Sequence, residues 1–127
     1  MKLTLPYPPS VNQIYRRRQR GGIYKVSTAK TFEYEVLAIV GANGRQRQPP
    51  MVGLVSISID IYPPDKRRRD VDNVLKVLLD SLTGAQVWRD DSQVVELTIR
   101  RQPPDKSNPR CEVEINGTER LSVDATI

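Results

Sequence analysis

From Val55 to Tyr62 apolar and polar residues alternate without a break: Val55, Ile57, Ile59 and Ile61 against Ser56, Ser58, Asp60 and Tyr62. Side chains of a strand point to opposite faces in turn, so this period predicts a half-buried strand, ended by Pro63-Pro64. The same alternation recurs at Val95, Leu97 and Ile99, and again at Cys111, Val113 and Ile115 against Glu112, Glu114 and Asn116. A shorter stretch from Lys2 to Leu5 runs into Pro6-Tyr7-Pro8-Pro9 and ends there. In two places the period lengthens to that of a helix. Phe32, Val36, Ile39 and Val40 predict one from a cap at Ser27 to about Ala42. Val71, Val74, Leu75, Leu78 and Leu82 predict another from about Asp70 to Leu82, stopped by Gly84.

Asn12 to Ser27 reads as a basic hairpin, with Ile14-Tyr15 and Ile23-Tyr24 flanking Arg16-Arg17-Arg18-Gln19-Arg20-Gly21-Gly22. The Gly-Gly pair supplies the turn. Gly41 through Pro50 reads as a loop, and the residues from about Thr118 to Ile127 as a loose tail. Pro-Pro-Asp-Lys occurs at 63–66 and 103–106, each time after a strand, which is repeated turn chemistry rather than a duplicated unit. The order of elements is neither a regular βαβ repeat nor an all-β pattern. It predicts an α+β fold: a mixed sheet of about four main strands plus the basic hairpin, with two helices on one face.

A chain of 127 residues makes one domain with a single core. Lys and Arg number 20 against 15 Asp and Glu, and the excess is uneven. Seven basic side chains precede Glu33, the first acidic one. A field of one sign on part of a small domain suits a polyanion. Cys111 is the only cysteine and there is no histidine. That excludes a Ser-His-Asp triad, a histidine base and a zinc site built on Cys or His. The start is too short and proline-interrupted for a signal peptide, and no apolar run is long enough to span a membrane, so the chain is expected in the cytoplasm.

The densest chemistry is Arg67-Arg68-Arg69-Asp70-Val71-Asp72-Asn73, with Lys76 one turn on and Asp90-Asp91 further along. Arginine binds phosphate and aspartate binds hard cations. Mg²⁺ takes oxygen ligands and is held by one or two carboxylates together with substrate phosphate and water. Carboxylates converging from a helix start and a later loop would make such a site, and the bound ion would activate water and polarise a phosphodiester. The plain alternative is that Asp70 caps the helix, Asp72 favours its dipole and Lys76 pairs with Asp72. One cap needs one carboxylate, however, and this chain offers two pairs. Lys76 would otherwise stabilise charge building on phosphorus. Arg67, Arg68 and Arg69 read as phosphate contacts, with a solvated charge run as the alternative. Arg16, Arg17, Arg18 and Arg20 form a basic arm in which Tyr15 and Tyr24 could stack on an unpaired base, although ordinary strand residues explain the tyrosines better. Trp88 reads as the packing anchor of the acidic loop.

Three blocks together, Leu5-Pro6-Tyr7-Pro8-Pro9-Ser10-Val11-Asn12-Gln13-Ile14-Tyr15-Arg16, then Arg69-Asp70-Val71-Asp72-Asn73 with Lys76, then Trp88-Arg89-Asp90-Asp91-Ser92-Gln93-Val94, resemble the RusA family of Holliday junction resolvases. The resemblance covers roughly residues 1–101. It implies a homodimeric, Mg²⁺-dependent endonuclease that cuts four-way DNA junctions symmetrically. It further implies that Asp70, Asp72 and Asp91 bind the metal with Asp90 beside them, and that Lys76 is the catalytic lysine. Asn73 and the arginines of the two basic runs are then DNA contacts. Two nicks related by near two-fold symmetry call for two equivalent sites, which a C₂ dimer provides.

Two other readings stand beside this one. A non-catalytic binder of branched DNA or RNA would need only the basic arm. A less selective metal-dependent nuclease would act on flaps or forks. A pure binder has no reason to bring a second acidic pair near phosphates.

Overall fold

Every second residue of the strand predicted at 55–62 is almost wholly buried, which places that strand in the middle of a sheet. A computed structural model describes residues 1–9, 15–17, 23–25, 27–44, 48–68 and 71–118. In chain order the elements are β1 (Lys2–Pro6), β2 (Tyr15–Arg17), β3 (Ile23–Lys25), α1 (Ser27–Ala42), β4 (Val55–Tyr62), α2 (Val71–Gly84), a 3₁₀ turn (Asp91–Gln93), β5 (Val94–Arg101) and β6 (Arg110–Gly117). The predicted α+β class holds: four strands form one mixed sheet in the order β1-β6-β4-β5, and β2 and β3 pair as a separate ribbon. The predicted loop at 41–50 starts two residues late, because Gly41 and Ala42 still belong to α1. The predicted loose tail from 119 to 127 lies outside the described residues, while Thr118 donates its N–H to the Leu54 carbonyl at 2.9 Å.

β6 runs antiparallel to both β1 and β4, with Ile59 opposite Val113 and Leu3 also opposite Val113. β5 runs parallel to β4, so the chain must cross back between them, and α2 is that crossover. The predicted order of elements gave no weight to such a unit, yet one strand–helix–strand crossover is present. Its signal was hidden because β5 is only half-covered and reads like an antiparallel edge.

One face of the sheet carries the core. Leu3 and Leu5, Val55, Ile57, Ile59 and Ile61, and Cys111, Val113 and Ile115 meet Phe32, Val36 and Val40 of α1 and Val74, Leu78 and Leu82 of α2. Burying such side chains stabilises the fold by roughly 1.5–3 kcal/mol each. The other face is polar: Lys2 and Thr4, Glu112 and Glu114, Ser58 and Asp60, Thr98 and Arg100. There Arg100 donates to Asp60 Oδ1 at 2.9 Å and to Ser58 Oγ at 3.0 Å.

The crossover gives the molecule two distinct ends. At the carboxyl end of β4 lie the start of α2, the 102–109 turn and the exit of β1 toward the basic ribbon. Arg110 ties that end together, reaching Asp105 Oδ2 at 2.8 Å and Glu112 Oε1 at 3.1 Å with its guanidinium carbon 3.9 Å above the Tyr62 ring. At the amino end of β4 lie Met51, Gly53, Trp88 and the 3₁₀ turn.

Candidate active site

Asp72 sits in the first turn of α2 and is exposed, at the carboxyl end of β4. A carboxylate there is favoured by the helix dipole. The exposed side chains of Arg67 and Arg68 lie in the segment leading into the helix. That segment is held down on its far side by Arg101, whose Nη2 donates to the Arg67 carbonyl at 2.8 Å. Arg67 also returns its own N–H to Asp65 Oδ1 at 2.9 Å. Arg101 was not among the predicted phosphate contacts. Its signal was the basic doublet at the end of an apolar strand, which charge counting alone does not separate from a solubilising surface.

Lys76 lies one turn beyond Asp72 on the same exposed side of α2. Its Nζ is 3.2 Å from Asp80 Oδ2, so the ion pair it forms is with the residue four ahead, not the predicted one with Asp72. Asp70, Arg69, Arg18 and Arg20 lie outside the described residues. Arg16 and Arg17 are on β2, and Asn73 is in α2.

Asp90 and Asp91 belong to a turn with its own architecture. Asp90 caps the 3₁₀ turn: its carboxylate accepts the Ser92 N–H at 3.1 Å, and Gln93 closes the capping box. Gln93 Oε1 accepts the N–H groups of Arg89 and Asp90 at 2.9 and 3.0 Å. Its Nε2 donates to the carbonyls of Met51 and Gly53, both at 2.9 Å. One side chain thus bolts the acidic turn to the segment entering β4. Below the turn, Trp88 is fully buried and its Nε1 donates to Thr83 Oγ1 at 2.7 Å, the anchoring role predicted for it. Hydrogen bonds from Ser92, first from its side chain and then from its backbone, hold the Asp90 carboxyl below the usual carboxylate range. Asp90 and Asp91 are both exposed. The positioning role of Gln93 was legible only in hindsight, as the glutamine of an Asp-x-x-Gln capping box.

Among the described residues, Asp72 and the acidic turn lie toward opposite ends of β4. Asp72 is at the carboxyl end of β4, and the 3₁₀ turn is bonded to residues 51 and 53 at the amino end. Helix α2 has 14 residues, so at a rise of roughly 1.5 Å per residue its ends stand about 20 Å apart. Among the described residues no three Asp, Glu, Cys or His side chains gather closely enough to hold a metal ion. Among the described residues, Asp72 and the Asp90–Asp91 turn are therefore not brought together within one chain, and Asp70 lies outside the described residues. The physical reason for the separation of Asp72 from the turn is the parallel crossover, which sends the helix the full length of the sheet between them. No described helix is long and apolar enough to cross a membrane.

Comparison with known proteins bears on what these ends do. The family model described as Endodeoxyribonuclease RusA matches residues 6–116. The crossover junction endodeoxyribonuclease rusA of Enterobacteria phage 82 is 36% identical over 104 residues, covering 82% of this chain and 84% of that protein. The crossover junction endodeoxyribonuclease RusA of Escherichia coli K12 is 36% identical over 107 residues, with the same coverage. That of Escherichia coli O139:H28 is 35% identical over 107 residues. The matched span takes in both acidic groups, Lys76 and the basic ribbon.

Proposed function

The chain belongs to the Endodeoxyribonuclease RusA family, and from that premise we propose that it resolves four-way DNA junctions. As a homodimer it would place paired symmetric nicks by Mg²⁺-dependent hydrolysis of phosphodiester bonds, working in the cytoplasm in recombination and repair. The observation that carries the reading is the bolted acidic turn. Gln93, Ser92 and Trp88 hold in place a turn that carries two exposed carboxylates, and a protein that only bound DNA would gain repulsion from them.

Asp70, Asp72, Asp90 and Asp91 are all-oxygen donors, the set a hard dication prefers. When bound to them, Mg²⁺ supplies Lewis-acid chemistry at the scissile phosphate. Asp90, held acidic by Ser92, stays ionised well below neutral pH and keeps its lone pairs available. Arg67, Arg68 and Arg69 grip the flanking phosphates, and Arg16, Arg17, Arg18 and Arg20 extend that grip along the strand, with Asn73 at the helix start. Lys76 offers its ammonium to the non-bridging oxygens of the phosphate under attack, where charge builds in the transition state.

The placing of Asp72 and the acidic turn at opposite ends of α2 gives the homodimer a second purpose. Mg²⁺ needs its ligands about 2.0–2.1 Å away, so carboxylates of the two ends can share one ion only when they come from different protomers. A two-fold axis that laid the carboxyl end of one protomer against the amino end of its partner would bring Asp70 and Asp72 of one chain to the acidic turn of the other. Two such composite sites form in one dimer, as two matched nicks require.

Incubation with a labelled four-way junction, a fork and a linear duplex, with and without Mg²⁺, tests the reading. Paired symmetric nicks confined to the junction and dependent on the ion are expected. Cutting of forks and duplex at equal rates would replace it with a general nuclease.

A further inference from the structure

The core is unfinished along one edge. The core-facing residues of β4 are 0–4% exposed, whereas Leu97 on β5 is 37% exposed. Ile99 of β5 and Leu75 and Leu79 of α2 are likewise only partly covered. β5 has β4 on one side and, among the described residues, no strand on the other. Its eight residues, Val94–Arg101, include no proline and no lysine, two usual guards of a free sheet edge. The opposite edge, β1, is shorter, starts at Lys2 and ends at Pro6.

We propose that β5 is the seam of the homodimer, pairing antiparallel with the β5 of a second copy about a two-fold axis at Thr98, so that two four-stranded sheets become one. The register is self-complementary. On the core face Leu97 meets the partner's Ile99, and Ile99 the partner's Leu97, which covers the apolar residues left open. On the polar face Glu96 stands opposite the partner's Arg100 and Arg100 opposite the partner's Glu96. Opposite charges across a strand pair stabilise it, and like charges oppose it. Arg100 already serves Asp60 and Ser58, but a guanidinium has five N–H donors and keeps some for a second carboxylate. A slip of one residue would turn the apolar pair to the polar face, so the register is specified rather than loose.

The seam rests on the homodimer reading and sharpens it. Antiparallel pairing sets the amino end of one β5 beside the carboxyl end of the other. The acidic turn Asp90–Asp91 precedes the amino end directly, and Arg101 at the carboxyl end holds the segment that leads to Asp72. The same pairing that completes the core therefore carries the two acidic groups toward one another.

Thr98→Cys tests the register. The sole native cysteine, Cys111, is fully buried with its thiol pKa pushed up to about 12 by burial, so it contributes little background. On mild oxidation of the intact protein, Thr98→Cys should form a disulfide-linked dimer about a hundredfold faster than Glu114→Cys on the polar face of β6, because a cysteine at the axis sees its twin at millimolar effective concentration. Leu97→Lys, with folding checked by circular dichroism, should shift the protein to monomer in sedimentation. A dimer in sedimentation whose Thr98→Cys variant crosslinks no faster than Glu114→Cys would overturn this seam and leave the homodimer standing. A chain that stays monomeric alone and on a junction while placing paired nicks would overturn the homodimer itself.

Discussion

Lys76 Nζ lies 3.2 Å from Asp80 Oδ2, turned one helical step away from Asp72. On an isolated helix the acid-before-base order of Asp72 and Lys76 is the better pair by orientation. Pairing Lys76 forward leaves the Asp72 carboxylate unneutralised at the helix start. On the proposed reading, Asp80 thereby keeps Asp72 available to a metal ion without touching that ion.

Asp80→Asn should release Lys76 toward Asp72. An exposed pair of this kind contributes about 0.3–0.5 kcal/mol, so the Mg²⁺ concentration for half-maximal nicking should rise about two-fold while thermal stability hardly moves. A magnesium titration of the nicking rate at fixed junction concentration reads this. An unchanged midpoint would mean that Lys76 does not compete for Asp72.

Gln93→Ala should slow nicking by an order of magnitude or more with junction binding nearly intact. The side chain makes four hydrogen bonds that fix the acidic turn to residues 51 and 53. Each is worth about 1 kcal/mol net, and their loss lets the carboxylates wander. Gln93→Glu keeps the acceptor for Arg89 and Asp90 but sets a carboxylate against two carbonyls, so it should fail to rescue. Single-turnover cleavage and gel-shift binding on the same junction separate the two effects.

Ser81→Ala should stabilise the protein. Ser81 is buried in α2 and, among the described residues, its hydroxyl has no hydrogen-bond partner. Removing an unsatisfied buried polar group, at a position where alanine is the better helix former, gains about 1 kcal/mol. In a domain of this size that is an upward shift in Tm of roughly 3–5 °C. A lowered Tm in a thermal melt would show that the hydroxyl has a partner such as a buried water.

Asp60 supplies a pH dependence with a definite sign. The hydrogen bond from Arg100 first, then that from Gln102, depresses its pKa below the ordinary carboxylate value. A carboxyl whose folded pKa lies below its unfolded one contributes stability that is present above about pH 4 and is lost as pH falls through the folded value. Asp60→Asn should therefore lower the urea midpoint at neutral pH and converge on the unsubstituted protein as pH falls through the depressed folded pKa. Parallel displacement of the two curves at every pH would assign the loss to packing.

The strands and helices were legible because each keeps one period: β4 alternates from end to end, and α2 carries Val74, Leu78 and Leu82 on one side. The candidate site residues stood out by type, since arginines beside paired aspartates suit a phosphate and a hard cation. Their arrangement was not legible. Whether Asp72 and Asp91 meet depends on the direction of β5 relative to β4, and a parallel neighbour alternates just as an antiparallel one does. The exposure of Leu97 was not legible either, because an edge strand alternates just as a central one does. Charge patterning likewise offered Lys76 two aspartates at equal spacing, and nothing in the sequence chooses Asp80.

Mixing two inactive variants distinguishes a composite site from one built within a chain. Asp72→Asn and Asp91→Asn should each abolish Mg²⁺-dependent nicking while leaving junction binding in place, since losing a carboxylate reduces repulsion of the phosphates. In a heterodimer of the two, a composite arrangement places both substitutions in one site and leaves the other with Asp72 from one chain and Asp91 from its partner. Subunit exchange should then restore single nicks at up to half the sites without restoring paired resolution. If every site draws all its ligands from one chain, both sites of the heterodimer are dead and no activity returns. A gel that separates nicked from resolved junctions tells the outcomes apart. Recovery of single nicks would also account for why Asp72 and the acidic turn stand at opposite ends of α2.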